Sequence, residues 1–118
     1  MQSNQTQRAG RVFLAEQNPR YGLSNAGTFG QLNVINDGEP FNPMNLTEAA
    51  RFMHAELLHA QYDPSIDFII LTGNPPVVAT FLSVATMFGP VVKMLLFDAR
   101  SSCYRERGFE RPSMAMRA

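Results

Sequence analysis

Two short apolar runs, Phe-Ile-Ile-Leu at 68–71 and Met-Leu-Leu-Phe at 94–97, constrain this chain more than any other feature. Neither alternates with polar residues, so each reads as a strand buried on both faces, as in the middle of a parallel sheet. Between them stand Pro75-Pro76 and then Gly89-Pro90. Proline costs nothing in the first turn of a helix, and a Gly-Pro pair stops one. The spacing predicts a strand over 67–72, a helix over 76–88 and a strand over 91–97. Parallel strands joined through a helix imply a right-handed crossover.

Upstream, Arg-Val-Phe-Leu-Ala-Glu at 11–16 is short, apolar and rich in strand formers, and Asn18-Pro19 ends it. Residues 28–35 alternate, with Leu32 and Val34 to one side and Asn33 to the other, which predicts a half-buried strand. These two strands are expected as antiparallel neighbours across a loop containing Gly22, Asn25 and Gly27. Asn36-Asp37-Gly38 is a turn, and the connection through Phe41-Asn42-Pro43 is irregular. Asn45 followed three residues later by Glu48 has the pattern of a capping box. The helix it opens runs to about Tyr62, with Leu46, Ala49, Ala50, Met53, Leu57 and Ala60 on its buried face. Asp63-Pro64 ends it. After the last parallel strand, 98–102 turns and 103–107 returns as an edge strand.

The fold class is therefore α/β: a small mixed sheet in the order β-β-α-β-α-β-(β), with helices packed on the sheet. The 118 residues suit one domain. Residues 1–10 read as a flexible leader, 11–108 as the single α/β domain and 109–118 as a flexible tail. Two helices cover one sheet face. The other face must be polar or meet a partner, and the two-sided apolar strands favour a homo-oligomer.

Ten basic and ten acidic residues cancel, which argues against a wholly basic nucleic-acid coat or an acidic mimic of DNA. The single cysteine, Cys103, excludes an internal disulfide and a multi-cysteine zinc site. No apolar stretch approaches the ~18 residues of a membrane span, and the first ten residues lack the apolar core of a signal peptide. A cytoplasmic location with no membrane partner is expected.

Chemistry has few places to sit. The loop Thr72-Gly73-Asn74 lies between a central strand and a helix N-terminus, where open α/β sheets bind ligands and free N–H groups favour anions. Two prolines remove donors there, and no dinucleotide or P-loop pattern is present. The alternative role is a rigid turn. Asp98 and Arg100 end the neighbouring strand on the same sheet edge and complete this candidate ligand site; a hairpin turn capped by Asp98 is their plainer role. His54 and His59 are five apart on one helix, pointing about 140° from each other, so they cannot share a metal. Cys103 has no base near it in sequence. No metal, cofactor or catalytic set is expected, and the balance leans away from an enzyme. Charge is uneven along the chain: residues 37–67 hold six acids and one base, whereas 98–118 hold five arginines against Asp98, Glu106 and Glu110. Arg100, Tyr104, Arg105 and Arg107 could contact RNA, since guanidinium groups stack and bind phosphate. A solvated tail, or contact with the acidic helix of a neighbouring subunit, is the competing role, and nucleic acid is not favoured.

The Val-Phe-Leu strand, the Asn-Pro loop, Thr28-Phe-Gly-Gln-Leu, Phe68-Ile-Ile-Leu-Thr-Gly-Asn-Pro and Leu95-Leu-Phe-Asp98 with Tyr104 resemble small uncharacterised α/β proteins encoded by tailed bacteriophages. The resemblance covers most of 11–107. It implies a location in the host cytoplasm and carries over no catalytic residue. The function these observations favour is that of a non-enzymatic accessory protein that self-assembles or meets a protein partner. The alternatives are a small nucleotide- or phosphate-binding module at Thr72-Gly73-Asn74 and an RNA-binding protein using the arginine-bearing end.

Overall fold

The computed structural model describes residues 8–16, 24–36 and 38–112. Five strands form one mixed sheet: β1 (Arg11–Glu16), β2 (Gln31–Asn36), β3 (Phe68–Ile70), β4 (Val91–Asp98) and β5 (Cys103–Glu110). Helix α1 (Leu46–His59) joins β2 to β3, and α2 (Pro75–Ala85) joins β3 to β4. The spatial order is β2-β1-β3-β4-β5. The first four strands are parallel and β5 is antiparallel to β4. The small mixed α/β sheet expected from the sequence is thus the observed fold.

One expectation is overturned. β1 and β2 are parallel, with Arg11 opposite Gln31 and Glu16 opposite Asn36. Parallel neighbours need a crossover of a dozen or more residues, and the long connection supplies it. Its described part holds a 3-10 turn, Ser24–Thr28. Moving from β1 to β2 runs opposite to the two later crossovers. A right-handed path in that direction passes over the opposite face of the sheet.

The two faces bear this out. On one, Phe13, Ile69, Val92 and Met94 pack against Met53 and Leu57 of α1 and Val77, Phe81 and Val84 of α2. On the other, Val12, Leu14, Ile70, Leu95 and Tyr104 pack around Ala26 of the 3-10 turn, with Phe29, Leu32 and Phe68 at the margin. The second face is therefore covered largely from within. Phe68 lies edge-on to Phe29 at 5.5 Å and beneath the Lys93 ammonium. Leu96 and Phe97 of the second apolar run remain exposed.

Local chemistry sets the element ends. Asn45 caps α1 by accepting from the Glu48 N–H at 3.3 Å, and its amide faces the Glu48 carboxylate. α1 stops three residues before Tyr62. Gln61 takes a left-handed φ of 59°, and the N–H groups of Gln61 and Tyr62 return to the carbonyls of Leu58 and Leu57. That is a Schellman closure, reached before Pro64 has any part in ending the helix. Asp67 is fully buried at the amino edge of the sheet. It accepts two bonds from the Arg8 guanidinium, at 2.7 and 2.6 Å, and one each from the Arg11 and Asp63 N–H groups. Arg8, placed in the expected leader, is thereby fastened to the domain. At the other end β5 reaches Glu110, two residues into the expected tail, and the Arg111 N–H reaches Pro90. The rest of the leader, 1–7, and of the tail, 113–118, lies outside the described residues.

Candidate functional site

Parallel strands β1 to β4 all end on one edge, and there the structure places two concavities. The first is at the ends of β3 and β4. Leu71, Thr72, Gly73, Leu96, Phe97 and Tyr104 line a hollow of about 320 Å³. Gly73 has φ +124°, a conformation side chains disfavour, and a Cβ there would meet nothing within 4 Å. The turn is glycine-shaped for backbone geometry rather than for close contact.

The sequence-predicted ligand residues meet only in part. Thr72 and Gly73 line the hollow; Asn74, Asp98 and Arg100 are not among its walls. Asn74 precedes α2, its carbonyl accepts the Val78 N–H, and its side chain caps nothing. With Pro75 and Pro76 in the first two helical positions, Val77 alone of the first three carries an N–H. That is a poor cradle for a phosphate. The Asp98 carboxylate accepts from the Arg105 Nε at 2.8 Å and from the Arg100 N–H at 3.0 Å. These partners, Arg105 foremost, hold its carboxyl below the usual carboxylate range. Asp98 thus closes the β4–β5 hairpin, its plainer role.

Among the expected nucleic-acid residues, Tyr104 lies at the start of β5. Its ring is buried, edge-on to Phe97, and so offers no stacking face. The cause is Asn25, whose side chain bonds both backbone groups of Tyr104 and draws the start of β5 over the second sheet face. Arg100, Arg105 and Arg107 are exposed. His54 stacks on Phe88 and His59 is exposed. Cys103 Sγ lies 3.0 Å from Ser101 Oγ. No three His, Cys, Asp or Glu side chains converge among the described residues. No helix among them is long and apolar enough to cross a membrane.

The second concavity, where the sequence predicts only an irregular connection, is a groove of about 310 Å³ beyond the end of β2. Asn36 holds the turn by accepting the Gly38 N–H and donating to the Glu39 carbonyl. Glu16, ending β1, accepts the Phe41 N–H at 2.9 Å and fastens the strap from below. Phe41 meets Phe52 of α1 edge-on, at 5.7 Å. Pro40, Ala49 and these two rings form an apolar floor, and Glu39 and Glu48 stand among its walls. Phe52 is 41% exposed, and Met44 nearby in the chain is 89% exposed. The available signal was that Phe52 falls off the helix face predicted to be buried.

No curated protein and no solved structure matches the chain. A family model does, over residues 5–111, nearly the whole domain described above. The resemblance to phage-encoded proteins read from the strands and their loops is thereby confirmed. The chain is of phage origin and belongs to the phage Pam3 gp32-like protein family.

Proposed function

We propose that this phage protein is a non-enzymatic accessory protein that works by self-assembly. One observation carries the proposal: the groove holds two aromatic rings in a pinned, partly exposed arrangement that the fold leaves uncovered. Exposed apolar surface rimmed by polar groups marks contact sites, and aromatic side chains dominate their energetics. Light scattering coupled to size exclusion tests it on the full chain. A defined oligomer is expected; a monomer at every concentration up to the solubility limit overturns it.

A second reading, a small nucleotide- or phosphate-binding module, is favoured by topology. In the strand order β2-β1-β3-β4-β5 the direction of winding reverses between β1 and β3, and doubly wound sheets bind ligands outside the carboxyl ends at such a switch. Thr72 and Gly73 leave β3 at that edge. A thermal-shift titration with nucleoside mono-, di- and triphosphates should raise Tm in proportion to occupancy. An unchanged Tm at millimolar nucleotide removes this reading.

A further inference from the structure

The groove is apolar at its floor and carries two carboxylates, so its occupant should be apolar and basic. Residues 112–118, Pro-Ser-Met-Ala-Met-Arg-Ala, have that chemistry. We propose that this segment of a second copy docks in the groove. In an extended segment Met114 and Met116 project to the same side. Methionine makes favourable contacts with ring edges, here those of Phe41 and Phe52. Arg117 then lies one residue on, in reach of Glu39 or Glu48.

Geometry makes the contact one between copies. β5 ends at the amino edge of the sheet, where Glu110 pairs with Val91 and Arg111 is fastened to Pro90. The groove is at the carboxyl edge, beside β2, on the far side of the sheet. Four strand spacings make about 19 Å, and the length of β4 makes about 25 Å, so the diagonal is about 31 Å. Met116 lies four residues beyond Pro112, a reach of at most about 14 Å when fully extended. The two methionines fall short of their own groove. A tail-into-groove contact is heterologous and repeats from copy to copy, closing into a ring or extending as a filament.

The inference rests on the self-assembly reading and names its contact. It is tested on full-length protein by light scattering and sedimentation. The Met114→Glu/Met116→Glu chain should associate about tenfold more weakly or not at all. These positions lie outside every described strand and helix, so the circular dichroism spectrum should not change. Arg117→Glu should weaken association too, and adding Glu39→Arg or Glu48→Arg should restore it. Full association of the double methionine variant overturns the tail contact but leaves self-assembly standing. Failure of the charge swap in both Glu39 and Glu48 versions overturns the pairing of Arg117 with the rim. A monomeric parent chain overturns both the contact and the reading beneath it.

Discussion

Asn25 bonds both backbone groups of Tyr104: its Oδ1 accepts the Tyr104 N–H at 2.6 Å, and its Nδ2 donates to the Tyr104 carbonyl at 3.2 Å. One amide side chain thus stands where a sixth strand would pair. It joins the crossover between β1 and β2 to the start of β5 and closes the second sheet face over Ala26. Asn25→Ala should cost about 1–2 kcal/mol, because two backbone groups lose their partner. Asn25→Asp should recover little, since a carboxylate cannot donate to the carbonyl. Urea denaturation reads the cost, and faster hydrogen exchange at the Tyr104 amide locates it.

Asp67 supplies the pH dependence. Burial by itself would push its carboxyl up; the Arg8 guanidinium and the N–H groups of Asp63 and Arg11 outweigh that and hold it below its ordinary value. The unfolded carboxyl titrates at about pH 3.9. The folded group is depressed, so its stabilisation is complete above that value and is lost as pH falls through the lower folded one. Asp67→Asn should destabilise by about 3 kcal/mol at pH 7, as breaking a buried ion pair does. The gap between parent and variant should narrow as the pH falls below about 3.9. A constant gap across that range would show that the charge of Asp67 contributes nothing.

Two glycines separate close approach from open space. A Cβ on Gly10 would stand 2.1 Å from the Ile66 carbonyl oxygen, between β1 and the chain entering β3. Gly10→Ala should therefore cost at least about 2 kcal/mol. A Cβ on Gly27, in the 3-10 turn, meets nothing within 4 Å. Gly27→Ala should gain about 0.4–1 kcal/mol by restricting the unfolded chain. Thermal unfolding of the pair checks both signs.

Tyr62 packs edge-on against Phe13 and Phe88, and its buried hydroxyl has no hydrogen-bond partner among the described residues. Burial also pushes the phenol up from its usual value. Tyr62→Phe removes an unsatisfied polar group while keeping the ring, so it should stabilise by about 1 kcal/mol. A loss of stability in denaturant titration would mean that the hydroxyl is satisfied after all.

The elements visible in the sequence were those set by neighbours along the chain. Arg11–Glu16 begins and ends as the pattern predicts, and Asn45 caps α1 with Glu48 three residues on. The β-α-β unit followed from two apolar runs and the prolines between them. Pairing direction for β1 and β2 did not follow, because alternation says which face is buried and not which way the neighbour runs. Asn25 looked like a loop residue because its partner is 79 positions away. The salt bridge from Arg8 to Asp67 spans 59 positions and carried no local signal either. For the candidate sites, Thr72 and Gly73 were legible as a strand-to-helix turn. The Phe41–Phe52 groove was not, since it depends on how Glu16 and Asn36 fold a strap over the first turns of α1.

The outer edge of β5 is guarded by its charges. The Tyr104 backbone points away from β4, toward Asn25, so Glu106, Gly108 and Glu110 also point outward by the two-residue period. Two copies pairing antiparallel along this edge must align outward residues with outward residues. Centred on Glu106, that sets Glu106 against itself and Arg105 against Arg107. Centred on Arg107, it sets Arg107 against itself. Centred on Gly108, it sets Glu106 against Glu110 and Arg105 against Arg111. Each register places like charges directly opposite, which is unfavourable. Assembly by this edge is thus disfavoured, in keeping with a contact made elsewhere. Replacing Arg105, Glu106 and Arg107 with threonine removes every one of those repulsions while keeping strand propensity. The triple variant, built together with Met114→Glu/Met116→Glu, should show new concentration-dependent association by light scattering. A triple variant as monomeric as its double-methionine parent would show that Asn25, and not charge, is what keeps the edge closed.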